Sequence, residues 1–187
     1  MIIKLKEKYQ KEVLPSMMKR FGYKNIMAVP RIKKVVLNAG FGRLIVAKTS
    51  EEQKKFLASI TEDLSLITGQ RPVLTKAKKS ISSFKLRQGM FVGAKVVLRR
   101  KKMNDFLERL INVALPRVRD FRGIDLKSFD KKGNLTFAFK EQVAFPEVPP
   151  EKAKNVFGFE LTVVSNAKSR EEGMELLKLL GFPIKNN

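Results

Sequence analysis

Cationic and hydroxyl side chains crowd one stretch of the sequence, LTKAKKSISSFKLRQG, which covers residues 74–89. The stretch holds five lysine or arginine residues and no aspartate or glutamate. Lysine and arginine neutralise phosphate groups and release their counterions, while serine and threonine hydroxyls hydrogen-bond phosphate or ribose oxygens. Since solvated surfaces normally carry both signs of charge, this composition predicts an anionic partner rather than a plain solvent-exposed loop.

We call residues 76–89 of this stretch the basic arm. Its candidate phosphate-binding and ribose-binding residues are Lys76, Lys78, Lys79, Ser80, Ser82, Ser83, Lys85 and Arg87. The arm also contains an aromatic residue, Phe84, for which two interpretations stay open. The ring stacks on an unpaired base, or it anchors the arm to the protein's own core.

The basic arm lies within a longer region that has no acidic residue. Residues 64–104 contain 11 basic residues, whereas the whole chain has 39 basic and 18 acidic residues and a net charge of +21. An excess of this size predicts a polyanionic partner, although a membrane surface or an acidic protein would also satisfy it. Outside the arm, this region supplies four further candidate RNA-binding residues, which are Arg71, Lys95, Arg99 and Arg100.

The placement of the cations favours RNA among these partners. They fall on a turn-rich connection and a predicted strand, whereas a membrane-surface protein would carry them along an amphipathic helix. The sequence has no helix-turn-helix or zinc-finger pattern for reading a DNA groove, and RNA loops are usually bound by sheets and flexible segments. The sequence therefore predicts an RNA-binding protein.

Catalytic chemistry finds little support in the sequence. Cysteine and histidine are both absent, which removes thiolate catalysis, the commonest general base and the commonest metal ligands. Gly40 and Gly42 resemble the start of a dinucleotide-binding loop, but Ile45 stands where the third glycine is required. We expect no enzyme, no catalytic residue, no cofactor and no metal site.

The sequence predicts a mixture of helices and strands, joined by short turns, that must position these residues. RIKKVVLNAGFG (31–42) and FVGAKVVLRR (91–100) predict strands, and the second alternates Val92, Ala94, Val96 and Leu98 with Lys95 and its neighbours. The predicted helices include one over residues 5–21, with a kink or a late start at Pro15, and one that Pro116 stops. Another begins at a capping box of Ser50 and Gln53 and buries Phe56, Ile60, Leu64 and Ile67.

This order of elements predicts an α+β fold, with an open and mainly antiparallel sheet, helices packed on one face and a long basic inter-strand loop. No internal repeat or long linker is visible, so we expect a single domain over residues 1–187. No apolar run is long enough to span a bilayer, and the N-terminal residues MIIKLKEKYQKEV lack the features of a signal peptide. We expect a cytoplasmic protein.

Several blocks of the sequence resemble one family closely. ITGQRPVLTKAKKSI (67–81), INVALPRVRDFRG (111–123) and NAKSREEGMELLKLLGFP (166–183) follow one another in the order of ribosomal protein five of the bacterial large subunit, the 5S-rRNA-binding family. The resemblance covers nearly the whole chain. The chain departs from the family at Arg43, where an acid is usual, and in residues 44–61, which are several residues longer than usual.

The resemblance implies a structural component of the large ribosomal subunit that binds 5S rRNA and 23S rRNA in the central protuberance, beside other large-subunit proteins. It also implies contact between the basic arm and the P-site tRNA, and contact with a small-subunit head protein at an intersubunit bridge. Asn38, Gly40, Gly42 and Thr75 are placed at the 5S contact. Arg117, Arg119 and Arg122 are placed near RNA or the bridge. A general RNA chaperone is the alternative function, and an enzyme acting on nucleic acid is a weaker rival.

Overall fold

The computed structural model, which describes residues 4–119, 121–151 and 155–185, contains seven α-helical segments and five strands within those residues. The helices are α1 (Leu5–Lys8), α2 (Leu14–Phe21), α3 (Gly42–Val46), α4 (Ser50–Thr68), α5 (Arg100–Arg109), α6 (Leu115–Arg117) and α7 (Arg170–Leu180). The strands are β1 (Ile32–Gly40), β2 (Val73–Lys76), β3 (Phe91–Leu98), β4 (Leu135–Phe139) and β5 (Phe159–Ser165). The strands form an open antiparallel sheet in the order β2-β3-β1-β5-β4, which confirms the predicted α+β class.

Alternating side chains divide each central strand into a core face and an open face. On β3, Ala94, Val96 and Leu98 are buried, while Lys95 between them is exposed. The same alternation runs along β1, where the buried residues are Val35, Leu37 and Ala39. Successive residues of a strand point to opposite faces, so the predicted pattern of β3 is confirmed.

Two prolines, Pro15 and Pro116, lie in helical segments just after a π-helical turn. A π-helical turn, Tyr9–Val13, joins α1 to α2 directly before Leu14 and Pro15, and a second one, Leu110–Ala114, joins α5 to α6 directly before Leu115 and Pro116. Proline cannot donate the usual i→i−4 hydrogen bond, and a wider π turn relieves that requirement. The helical path continues through Pro15 to Phe21, so the predicted late start is wrong. The other helical path ends at Arg117, so the stop predicted at Pro116 is confirmed to within one residue.

The N-terminal cap of α4 lies one residue earlier than predicted. Thr49 is the capping residue: its hydroxyl accepts from the backbone N–H of Glu52, and the Glu52 carboxylate accepts from the N–H of Thr49 at 2.9 Å. Gln53 instead donates through Nε2 to the carbonyls of Ile45 (3.2 Å) and Lys48 (3.0 Å). The predicted capping box of Ser50 and Gln53 is wrong, while the predicted buried stripe of α4 is confirmed.

The described residues divide into two compact units, one within 1–35, 98–137 and 162–187 and the other within 36–97 and 138–161. In the first unit, Gly133 and Gly173 pack so closely that a Cβ on either one would meet the backbone of the other at less than 3 Å. In the second unit, Phe139, Phe145 and Phe159 form an aromatic cluster with ring centroids 5.2–5.7 Å apart. A single domain over residues 1–187 stays a prediction. Across the described residues, no helix combines the length and apolarity that a membrane span requires.

Candidate nucleic-acid interface

The acid-free region, residues 64–104, carries its positive charges at the surface. All 11 of its lysine and arginine side chains are exposed. In the described part of the chain, no carboxylate forms an ion pair with a lysine or arginine of the basic arm. Among the described residues, the positive charge of the arm is therefore not paired with a carboxylate, which favours the binding of a polyanion.

The basic arm, predicted as a long inter-strand loop, is a folded hairpin. Ile81 and Leu86 exchange backbone hydrogen bonds of 3.0 and 3.1 Å. Residues Ser82–Phe84 form a 3₁₀ turn between them, closed by the bond from the N–H of Lys85 to the carbonyl of Ser82 (2.9 Å). The hydroxyl of Ser80 accepts from the N–H of Gln88 at 3.0 Å. These bonds fix the positions from which the exposed lysines and serines of the arm project.

The base of the arm is tied to the sheet by two features. The N–H of Ala77 donates to the carbonyl of Met90 at 2.8 Å, which extends the β2–β3 pairing beyond the end of β2. Nearby, the ammonium group of Lys76 lies 5.3 Å from the centroid of the Phe91 ring, an arrangement typical of a cation–π contact. Lys76 keeps its exposed position while its charge is held over the ring.

On the open face of the sheet, Thr75 pairs with Gly93 across the β2–β3 ladder. A Cβ added to Gly93 would lie 2.8 Å from Oγ1 of Thr75 and 3.0 Å from the carbonyl oxygen of Ala39. Only a glycine leaves room for the threonine hydroxyl and the neighbouring strand at this point. Lys95, two residues along β3, is exposed on the same face and lies opposite Val73.

The end of β1 presents exposed backbone and an exposed amide side chain. Asn38 and Gly40 are exposed, whereas Ala39 and Phe41 are each only 1% exposed. Phe41 is fixed by an edge-to-face contact with Phe56, at a centroid distance of 5.7 Å. A Cβ on Gly40 would have no protein atom within 4 Å. The fold itself therefore does not require a glycine at position 40, and the space beside it is open to a partner.

Cations also cluster where β3 passes into α5. Arg100 has φ +53°, and it and Lys85 (φ +52°) are the described non-glycine residues with a positive φ. No side chain caps α5, whose first turn holds Arg100, Lys101 and Lys102. Positive charge at a helix N-terminus opposes the helix dipole, and left-handed backbone at a non-glycine residue is strained. An anion bound here would offset both costs.

The three arginines that follow α5 are exposed but are not part of the arm. Arg117 is the last residue of α6, and Arg119 and Arg122 belong to the segment after it. All three lie in the first unit, whereas the arm, Thr75 and Asn38–Gly42 lie in the second unit. Their placement near RNA or near the bridge stays a prediction.

Sequence reasoning missed a segment of the opposite charge. Residues 141–151, EQVAFPEVPPE, contain three glutamates and no lysine or arginine, and we call them the acidic segment. Its Gln142 is fully buried, donates through Nε2 to the carbonyl of Asn155 (2.5 Å) and accepts from the N–H of Phe157 (2.9 Å). Counting acidic as well as basic residues in a sliding window along the sequence would have found this segment.

A buried carboxylate lies beside that glutamine. Nε2 of Gln142 is 3.5 Å from Oδ2 of Asp63, which is 8% exposed. Burial raises the pKa of Asp63, and the hydrogen bond from Gln142 opposes this shift only in part. In the chain as described, no three acidic residues come close enough together to hold a metal ion.

Comparison with known proteins identifies one family over almost the whole chain. The sequence profile described as "Ribosomal protein L5" matches residues 25–87, and the profile described as "ribosomal L5P family C-terminus" matches residues 91–184. Proteins named "Large ribosomal subunit protein uL5" are similar over almost their full length. The protein from Clostridium acetobutylicum is 51% identical over 98% of both chains, and that from Geotalea daltonii is 52% identical over 98% of this chain and 99% of the relative.

These matches define a structural protein of the large ribosomal subunit. The chain belongs to the L5 family of ribosomal proteins, and these relatives named uL5 are similar to it over almost their full length. Membership of this family places the protein in the ribosome, in the cytoplasm. The resemblance drawn from the sequence blocks is thereby confirmed.

Proposed function

We propose that this ribosomal protein binds 5S rRNA, and an adjoining part of 23S rRNA, in the central protuberance of the large subunit. The observation that carries the proposal is the acid-free region, whose 11 cations are all exposed. Phosphate neutralisation supplies most of the affinity of such a surface and makes it strongly dependent on salt. We assign this role to Arg71, Lys95, Arg99 and Arg100.

Selectivity for one folded RNA requires more than charge. Asn38 and Thr75 offer an amide and a hydroxyl, which can hydrogen-bond ribose 2′-hydroxyls or base edges. Gly40 and Gly42 flank the buried Phe41, and the open space at Gly40 allows RNA to approach the backbone closely. The sheet thus offers fixed hydrogen-bonding groups on a rigid surface that complements one RNA shape.

The basic arm serves the P-site tRNA in this proposal. Lys78, Lys79, Lys85 and Arg87 project from its hydrogen-bonded hairpin as exposed side chains, and no described carboxylate forms an ion pair with them, so their charge is available to a second RNA. Family resemblance supports tRNA as that RNA. A hairpin with a fixed shape also loses less conformational entropy on binding than a disordered loop.

The acidic segment is suited to a basic protein rather than to RNA. Its exposed Glu141 and Glu151 would repel phosphates but would pair with lysine or arginine across an interface. We therefore assign the intersubunit contact with a small-subunit head protein to this segment, and assign Arg117, Arg119 and Arg122 to RNA.

Competition binding tests the proposal. Purified protein is bound to labelled 5S rRNA at physiological salt, and unlabelled 5S rRNA is compared with an unrelated structured RNA of equal length as competitor. Specific binding predicts that 5S rRNA competes at least ~1,000-fold better, on the scale of the ratio between specific and non-specific binding that nucleic-acid-binding proteins show. Equal competition would overturn the proposal and favour a general RNA chaperone.

A further inference from the structure

One aromatic side chain of the basic arm is exposed without a structural reason. The structure describes all 14 phenylalanines of the chain, and Phe84 alone is in the exposed class, at 54%. The other rings are buried or half-buried, several of them in aromatic pairs. Of the two interpretations that the sequence left open, anchoring to the core is therefore wrong for Phe84.

The fold of the arm holds this ring in place. Phe84 ends the 3₁₀ turn Ser82–Phe84, between the hydrogen-bonded partners Ile81 and Leu86. The next residue, Lys85, takes up a left-handed conformation that costs free energy in a residue other than glycine. An exposed ring on a hydrogen-bonded and strained turn is costly for the free protein, and a bound partner would offset that cost.

Phe91, the aromatic residue that follows the arm, provides a comparison, because its ring contacts a cation of the protein itself. Its half-buried ring has the Lys76 ammonium group 5.3 Å from its centroid. Within the described residues, no cation or second ring lies against Phe84 in this way. The face of the Phe84 ring is therefore available to an external planar group.

We propose that Phe84 stacks on an exposed nucleobase of the RNA that the basic arm binds. The proposal rests on the proposed function, in which that RNA is a tRNA, and it adds a base contact to what would otherwise be a phosphate contact. Every base has a π-face, so a phenyl ring can stack on it whatever its sequence. The lysines around the ring bring the RNA backbone close, and the ring then contacts an unpaired or terminal base.

Stacking and phosphate neutralisation respond differently to salt, which allows them to be separated. Removal of one phosphate contact lowers the magnitude of the slope of log Kd against log salt concentration by about 0.7–0.9. Removal of a stacking interaction releases no counterion, so it weakens binding by a constant factor at every salt concentration. That factor is about 5- to 100-fold for one base.

The first experiment measures binding of an unmodified tRNA transcript by the full-length protein over a series of salt concentrations. Phe84→Leu keeps an apolar side chain and removes the ring, and Phe84→Tyr keeps the ring. We expect Phe84→Leu to weaken binding by the stacking factor with an unchanged salt slope, and Phe84→Tyr to match the wild type. Wild-type affinity in Phe84→Leu would overturn the proposal. A Phe84→Leu variant with a reduced slope would also overturn it, because the ring would then act only by positioning lysines.

A Lys79→Ala variant in the same series separates this inference from the function on which it rests. If Lys79→Ala lowers the slope and Phe84→Leu has no effect, the arm binds tRNA without stacking, and only the inference fails. If the wild-type protein does not retain tRNA even at low salt, the proposed function of the arm fails, and the inference fails with it.

The second experiment exploits the absence of tryptophan from the chain. Phe84→Trp introduces a single tryptophan at the ring position, which is excited selectively over the two tyrosines, and Leu66→Trp is the matched control, because Leu66 is also exposed (52%) but lies on α4. Stacking on a base predicts that tRNA quenches the Phe84→Trp emission and shields it from iodide, with no change for Leu66→Trp. Equal responses of the two variants would contradict the proposal.

Discussion

Thr75 and Gly93 face each other across β2 and β3 with no room for a side chain between them: a Cβ on Gly93 would lie 2.8 Å from Oγ1 of Thr75. On the other side of Gly93, the carbonyl oxygen of Ala39 would be 3.0 Å from the same Cβ. The hydroxyl proposed to contact RNA is therefore positioned by the absence of a side chain on the neighbouring strand.

Gly93→Ala is expected to destabilise the protein. Either Thr75 must rotate or β1 must move away from β3, and overpacking of this kind costs about 1–3 kcal/mol. Urea denaturation followed by circular dichroism would measure the loss. A variant as stable as the wild type would show that the sheet adjusts freely at this point and that Gly93 does not position Thr75.

Gly40→Ala, in contrast to Gly93→Ala, is expected to leave the stability of the protein unchanged and to lower its affinity for RNA. The added methyl group meets no protein atom within 4 Å, so the free energy of unfolding should stay within about 0.5 kcal/mol of the wild type. The affinity for 5S rRNA should fall, because the methyl group occupies space that the RNA backbone needs. Filter binding and urea denaturation on the same preparation check both parts, and unchanged RNA affinity would remove Gly40 from the interface.

Removal of positive charge from the arm should affect the affinity for tRNA and the affinity for 5S rRNA to different extents. Combined alanine substitution of Lys76, Lys78, Lys79 and Lys85 is expected to weaken tRNA binding more than 5S rRNA binding, since the 5S contact is assigned to the sheet. For tRNA, the slope of log Kd against log salt should fall by about 0.7–0.9 for each phosphate that is no longer neutralised. Equal losses of affinity for both RNAs would contradict this division.

The stability of the protein should depend on the ionisation of Asp63. Burial raises the pKa of this carboxyl in the folded state, so the folded protein holds the proton more tightly than the unfolded chain does. The free energy of unfolding therefore falls as the pH rises from the unfolded pKa, about 4, through the raised pKa. Asp63→Asn should be more stable than the wild type at pH 7, and this advantage should disappear near pH 3. The free energy of unfolding of both proteins would be measured by urea denaturation over this pH range. The same dependence on pH in the variant and the wild type would contradict the prediction.

The acidic segment should affect subunit association without affecting RNA binding. Glu141→Gln combined with Glu151→Gln removes two exposed charges, and we expect weaker joining of the subunits at low magnesium, measured by sucrose-gradient sedimentation. Glu51→Gln, an exposed glutamate outside the segment, is the matched control. Loss of 5S rRNA affinity in the double variant would place the segment against RNA and overturn its assignment.

Residue patterns predicted the helices and strands of this fold, because buried side chains recur with the period of the backbone: every second residue in a strand and every 3.6 residues in a helix. The alternation from Ala94 to Leu98 and the buried stripe from Phe56 to Ile67 are both present as predicted, whereas Val92 is only half-buried. The cap of α4 was misplaced by one residue, because Thr49 with Glu52 and Ser50 with Gln53 fit the same motif. The choice depends on the bonds from Gln53 to Ile45 and Lys48, which exist only once α3 has formed.

Features that depend on tertiary surroundings could not be predicted in this way. Phe84 and Phe41 are the same residue type, yet one is 54% exposed and the other 1% exposed. A proline in a helical pattern normally indicates a helix end or a kink, and nothing local to Pro15 or Pro116 reveals the π turn that precedes it. The candidate RNA-binding residues themselves came from charge, composition and family resemblance, and their individual contacts stay predictions.

Ultraviolet cross-linking of the purified protein to 5S rRNA, followed by mass spectrometry of the modified peptides, tests the placement of the RNA interface most directly. We predict adducts within residues 38–42, 71–75 and 91–102, where open sheet surface and exposed cations coincide. Adducts confined to α2 and α7, with residues 64–104 unmodified, would contradict the assignment of RNA binding to the acid-free region.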